Sequence, residues 1–172
     1  MIPPRDTPDR DSRYMGLALM MMAFSKDPNT QVGAVIISPT NVPLGWGYNG
    51  PPRLIDDNSF SWERPGKNDL IEHAEVNAID YSHGNLVGST LYCTAFPCKN
   101  CMIRVVKKEI GRVVYMPRKY DAGSMQSDPT AFNRSMEIAR MAGVHVQEFG
   151  GDVSWVPGWV ENLRQLGMLP PI

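Results

Sequence analysis

His73-Ala74-Glu75, read together with Pro97-Cys98-Lys99-Asn100-Cys101, constrains this chain more than any other stretch. One imidazole and two thiolates can hold a zinc ion. Zinc favours four ligands in a tetrahedron, and a reactive site supplies three from the protein and leaves one position for water. Zinc lowers the pKa of such a water to about 7, and the nucleophile so generated can attack an electrophilic ring carbon that carries an amino group. Glu75, two residues after His73, is the right kind of group to take the water's proton, pass it to a ring nitrogen and protonate departing ammonia. A carboxyl suits that shuttle when a closed site raises its pKa.

The spacing carries structural content. Cys98 and Cys101 are three apart and share a face of a helix. Pro97 directly before them fits the start of that helix, and a helix N-terminus favours thiolate over thiol. His73 and Glu75 would diverge in mid-helix, so they are expected in a first turn. A structural zinc site would need a fourth protein ligand. The two candidates are Cys93, which falls in an apparent strand and reads as a buried small hydrophobe, and His83, about three turns further along the same helix.

Composition narrows the rest. A chain of 172 residues can bury one real core. A net charge of −1 offers no basic stripe for a nucleic-acid backbone. Three cysteines, two of them committed to metal, fit a reducing, cytoplasmic compartment and no disulfide framework. Residues 1–6 do not read as a signal peptide. The longest apolar run, 17–24, is too short to span a membrane.

Along the chain, Thr7 and Pro8 suit the N-cap and first position of a helix reaching about Phe24, its Met-rich run expected in the core. Residues 31–38 read as a buried strand, Pro39-Thr40-Asn41 as a turn, and 44–48 as the return strand of a hairpin. Gly45-Trp46-Gly47-Tyr48-Asn49-Gly50 fits G-x-G-x-x-G, but a dinucleotide fingerprint must open a helix and Pro51-Pro52 follows. This segment is either a ligand loop or an ordinary hairpin exit. Residues 51–68 form a long loop, in which Trp62-Glu63-Arg64 either anchors the loop, the reading preferred, or touches a ligand. A second helix is expected from about Asp69 to Ser82, a strand over 89–94, a third helix from Cys98 to Gly111, a strand over 112–116, a fourth helix capped by Asp128 and closed by Gly143, and a last strand over 144–149. The tail 150–172, with a short helix at 158–166, is expected to fold back on the body or on a neighbouring subunit. Strands alternating with helices after a hairpin argue for an α/β fold: one domain, 1–172, with a five-stranded mixed sheet covered on both faces.

His-x-Glu followed by Pro-Cys-x-x-Cys is the signature of the zinc nucleobase deaminases. The chain resembles the deoxycytidylate deaminases of phages and eukaryotes, within the cytidine deaminase superfamily. The likeness rests on residues 25–34 (Ser25-Lys26-Asp27-Pro28-Asn29-Thr30-Gln31-Val32-Gly33-Ala34), Gly47-Tyr48-Asn49-Gly50, residues 73–79, Phe96-Pro97-Cys98 with Cys101, and Lys119-Tyr120. It implies a cytidine-deaminase-like three-layer α/β/α fold and hydrolysis of dCMP to dUMP for thymidylate synthesis. It implies His73, Cys98 and Cys101 as ligands of one Zn2+ per chain and Glu75 as proton shuttle. It gives Asn29 to the deoxyribose 3′-hydroxyl, main-chain groups near Ala34, Ala74 and Ala95 to the cytosine edge, and Ser25, Lys26 and Tyr120 to the 5′-phosphate. It also implies an allosteric homo-hexamer, activated by dCTP and inhibited by dTTP, with Mg2+ on the triphosphate and Gly47, Tyr48, Asn49 and Gly50 at the effector site.

The resemblance also implies that some relatives carry a second, structural zinc on extra cysteine and histidine. Here Glu72 stands before His73 where such a relative has cysteine, and the only other cysteine is Cys93, so one zinc per chain is expected. Three alternatives stay open: a deaminase acting on dCTP as well as dCMP, another deaminase of the superfamily, and a non-catalytic zinc-stabilised nucleotide sensor. A polynucleotide substrate would call for a basic surface, and a sensor has no need of Glu75.

Overall fold

The computed structural model describes residues 6–117 and 129–158. In chain order these form α1 (Arg10–Met22), β1 (Gly33–Ile37), β2 (Pro43–Tyr48), a 3-10 turn (Gly66–Asp69), α2 (Ala74–Asp80), β3 (Thr90–Cys93), α3 (Lys99–Lys107), β4 (Arg112–Tyr115), α4 (Pro129–Met141) and β5 (His145–Glu148). The expected order of elements is the observed one. The sheet runs β2-β1-β3-β4-β5. β1 is antiparallel to both neighbours, and β3, β4 and β5 are mutually parallel, so the sheet is mixed.

Every residue of β1 is buried because helices cover both of its faces. Val35 and Ile37 join Met15 and Ala18 of α1, with Tyr92, Val114 and Phe149. Ala34 and Ile36 point the other way, into a larger cluster with Ala74 and Ala78 of α2, Met102 and Val105 of α3, and Ala139 of α4. The three layers are therefore α1, the sheet, and α2–α4. Among the described residues no helix is long and apolar enough to cross a membrane.

Several boundaries depart from the sequence reading. α1 is capped by Asp9 and not Thr7: the Asp9 carboxylate accepts from the Ser12 amide at 3.1 Å and from the Ser12 hydroxyl. The Met-rich run is core only in part, since Met20 and Phe24 lie 44% and 59% exposed. α2 begins five residues later than Asp69. Residues 66–69 close a 3-10 turn, and Glu72 then pairs with Gly50 in a two-bond bridge, which holds the backbone extended up to His73. Asp128, Tyr120 and residues 159–172 lie outside the described residues. The described part of the tail folds onto α1: the Trp155 indole donates to the Ser12 carbonyl at 3.3 Å and its ring lies over Gly16.

Gly47 has a packing reason. A Cβ there would meet the main chain of Ala74, Asn77 and Ala78, because β2 lies directly on α2. Backbone cannot swing aside as a side chain can, so Gly47→Ala is expected to destabilise the fold by about 1–3 kcal/mol. A lowered urea midpoint at unchanged m would register this; an unchanged midpoint would remove the close-approach argument.

Candidate metal centre

β1 runs against both neighbours, so its first residue lies beside the last residues of β2 and β3. Gly33 is in register with Tyr48, and its carbonyl accepts from the Thr94 amide at 2.9 Å. Residues 25–32, 49–50 and 94–98 all leave the sheet at this end, and the Gly50–Glu72 bridge brings His73 to it.

His73 is the N-cap residue of α2, with φ −76° and ψ 150°. Cys98 is the N-cap residue of α3, its sulfur accepting from the Cys101 amide at 3.5 Å. Pro97 therefore precedes the cap and does not occupy the first helical position. The two helix starts face each other. His73 Nδ1 lies 3.6 Å from Cys98 Sγ and 3.3 Å from Cys101 Sγ, and the two sulfurs are 3.5 Å apart. Bond lengths of about 2.3 Å to sulfur and about 2.0–2.1 Å to nitrogen give tetrahedral donor–donor edges of about 3.5–3.8 Å. The donor set fits zinc in number, type and spacing. Among the described residues these three donors form the metal-ligand group, all within 4.8 Å of one another, and neither Cys93 nor His83 joins it. Cys93 is fully buried in the core beneath α2–α4.

The electrostatics suit a cation. The Cys98 thiol is lowered to about 4, first by the bond from Cys101 and then by His73, against the opposing effect of burial. His73 is raised to about 9, chiefly by its bond to Cys98. The Cys101 thiol is pushed well above its ordinary value by Cys98 and by burial. A divalent cation replaces the protons these groups share. Glu75, 3% exposed in the first turn of α2, feels His73, Cys98 and Cys101, and burial raises its pKa above the ordinary carboxylate value. A buried carboxyl that can hold a proton beside an open coordination position is equipped for proton transfer.

The other predicted site residues fall around this end of the sheet. Asn29 is exposed at the tip of a turn. Ala34 and Ala74 pack in one cluster, and Ala95 is half-buried between β3 and Pro97. The Ser25 hydroxyl donates to the Asn49 carbonyl at 2.9 Å, and Lys26 pairs with Asp57 at an exposed position. Asn49 is 5% exposed. Its side-chain oxygen accepts from the Val32 amide at 2.7 Å and its amide nitrogen donates to the Thr30 carbonyl at 2.8 Å. That side chain is thus committed to the turn bearing Asn29. Tyr48 is 41% exposed, and its carbonyl accepts from Asn77 of α2 at 2.8 Å. Trp62 packs within the long loop, donating to the Asp57 carbonyl at 3.0 Å and lying on Phe60, while Arg64 ties the loop to Thr30 at 3.0 Å.

Two supporting residues escaped the sequence reading. Ser135, fully buried on α4, donates to the Pro97 carbonyl at 2.8 Å and fixes the approach to Cys98. Lys67, 1% exposed, pairs with Asp27 at 2.5 Å. Neither has a local signal, since each meets a partner about forty positions away in a fold the sequence does not draw. Burial alone would raise the Asp27 pKa, but Lys67 and the amides of Asn29 and Thr30 outweigh it and hold it below 3.8. A lowered folded pKa contributes stability above the unfolded value, lost as pH falls through the folded one. The wild type is therefore expected to lose more stability between pH 6 and pH 3 than Asp27→Asn/Lys67→Met, read as urea midpoints; equal losses would show that the pair carries none of the acid sensitivity.

Residues 8–117 match the family described as the cytidine and deoxycytidylate deaminase zinc-binding region. The chain is 35% identical over 143 residues to the deoxycytidylate deaminase of Pongo abelii, covering 79% of this chain and 77% of the relative. It is 38% identical over 146 residues to the probable deoxycytidylate deaminase of Drosophila melanogaster, covering 78% and 69%. The dCMP deaminase of cyanophage S-TIM5, solved in apo form, superposes with a TM-score of 0.63 at 23% identity over 81% of this chain and 96% of that one, and shares the fold.

Proposed function

The chain belongs to the cytidine and deoxycytidylate deaminase zinc-binding family, and we propose that it hydrolyses dCMP to dUMP and ammonia. The observation that carries this reading is the three-donor group with Glu75 buried beside it; the choice of dCMP follows the names of the relatives.

His73, Cys98 and Cys101 would hold zinc, which supplies an acidified water when bound. Glu75 takes a proton from the attacking water and gives it to N3 of the cytosine ring. It then carries a proton to the exocyclic nitrogen, which leaves as ammonia as the C4 carbonyl forms. Water is consumed and no other reactant is needed. Burial raises the Glu75 pKa, the direction that suits a carboxyl that must give a proton back. Main-chain groups near Ala34, Ala74 and Ala95 orient the base, Asn29 holds the 3′-hydroxyl, and Ser25 and Lys26 face the phosphate. The Lys26–Asp57 pair is solvent-exposed, so a phosphate can take the ammonium from Asp57 at little cost.

The reading extends to regulation by dCTP with Mg2+ and by dTTP in a homo-hexamer. Its support is the place of residues 47–50: Ser25 and the Asn49 amide tie them to the Asn29 turn, and Asn77 ties them to the helix bearing Glu75. The test is loss of cytosine absorbance from dCMP by the purified zinc protein, with and without dCTP and Mg2+. Turnover raised by dCTP supports both parts. Turnover indifferent to dCTP keeps the enzyme and removes the regulation. No turnover with zinc bound overturns the substrate assignment.

A further inference from the structure

Lys67 is a nearly fully buried ammonium that the deamination chemistry does not use. It is 1% exposed, on a short 3-10 turn that ends a long loop. Burying a lone ammonium is costly, and such a group persists only where it is paired. Its partner Asp27 is equally buried, with side-chain exposures of 2% for Lys67 and 4% for Asp27.

What each partner carries gives the pair its meaning. The Asp27 oxygen that meets Lys67 also accepts from the amides of Asn29 at 2.8 Å and Thr30 at 3.0 Å. One carboxylate thus fixes the whole turn on which Asn29 stands. The Asp27 carbonyl further receives the Gln31 side chain. On the other side, the Lys67 carbonyl accepts from the amides of Leu70 and Ile71, both at 3.0 Å, and Glu72 is then locked to Gly50. His73 follows at once. The ion pair is therefore a short rigid link between the Asn29 turn and the backbone entering the first metal ligand. Arg64, from the same loop, donates to Thr30 at 3.0 Å and braces the turn again.

We propose that the buried Lys67–Asp27 pair is a positioning clamp that sets Asn29 against the metal centre and so determines how strongly the enzyme selects for the sugar hydroxyl. This rests on the dCMP reading above and on Asn29 as the group that meets the 3′-hydroxyl. A carboxamide at the tip of a turn recognises a hydroxyl only while the turn is held, because a hydrogen bond weakens steeply with misalignment. Losing the clamp frees the turn, and the selection goes with it. Lys67 acts through Asn29 and is a positioning residue.

The test pairs a change in the protein with a change in the substrate. Zinc-loaded wild type and Lys67→Met are assayed on dCMP and on 2′,3′-dideoxycytidine 5′-monophosphate, with zinc content and circular dichroism measured on each. Asp27→Asn/Lys67→Met is the companion variant: it removes both charges, leaves an oxygen for the two turn amides, and keeps the question answerable if the single variant does not fold. Wild type is expected to prefer dCMP in kcat/KM by tenfold or more. The variants should raise KM for dCMP with kcat changed less, and bring the preference to within about twofold. General loss of rigidity would slow both substrates alike and leave the ratio where it was. An unchanged ratio in folded, zinc-loaded variants overturns the clamp. Absence of wild-type turnover and binding of dCMP overturns the functional reading beneath it, and is told apart by the wild type alone.

Discussion

Glu75→Gln is expected to lower kcat on dCMP by about a hundredfold to ten-thousandfold, the range measured for loss of a positioned acid–base group, while zinc stays at its wild-type content. Glutamine keeps the shape of the side chain, so a 3% exposed position need not repack. It cannot accept and return a proton. Burial raises the Glu75 carboxyl above its ordinary pKa, so a neutral amide there removes a buried ionisable group, and the melting temperature should hold or rise. The separation matters: Glu75 is not among the three donors of the metal group. Steady-state kinetics with metal analysis on the same sample decides it. Retained turnover would remove Glu75 from the chemistry, and loss of zinc would make it a ligand or the ligands' support.

The grouping of the three donors was legible because much of it is local. His73 and Glu75 must sit within one turn, and Cys98 and Cys101 on one face, whatever surrounds them. The element order was legible for a related reason, since period-two and helical patterns survive without tertiary context. The start of α2 moved because a long-range partner decided it. Nothing near Asp69 says that Glu72 will bridge to Gly50 and delay α2 to Ala74. Asp9 could have been found, because Asp9-Arg10-Asp11-Ser12 places an acceptor three residues before a hydroxyl and an amide; Pro8 drew the cap two residues too early.

The segment Gly47-Tyr48-Asn49-Gly50 shows how one motif can serve two ends. Read as sequence it is either a ligand loop or an ordinary hairpin exit. In the fold, Gly47 lets β2 lie on α2 and Asn49 clips the turn of residues 30–32. Both act on the geometry of the metal end of the sheet, the first through the helix that bears Glu75 and the second through the turn that bears Asn29. A residue type needed for packing and one needed for recognition look alike in a sequence, because both are simply a glycine or an asparagine.

Cys101→Ser is expected to bring zinc from one per chain to under a tenth and turnover to background. A serine hydroxyl remains protonated at neutral pH and is a poor zinc donor, whereas the site relies on thiolate. Cys101 is 1% exposed and stands 3.3 Å from His73 Nδ1 and 3.5 Å from Cys98 Sγ. Two ligands then remain, and both are helix-capping residues: His73 begins α2 and Cys98 begins α3. The metal would join these two helix starts, so its binding free energy stabilises the fold by linkage, and Cys101→Ser should melt earlier than the zinc-loaded wild type. A chelator supplies the internal control. It should lower the wild-type melting temperature toward that of the variant and leave the variant unmoved. Cys93→Ser separates metal from core: Cys93 is not among the three donors, so the variant should keep one zinc and turnover. Zinc retained by Cys101→Ser, lost by Cys93→Ser, or present at two per wild-type chain would each overturn the three-ligand centre.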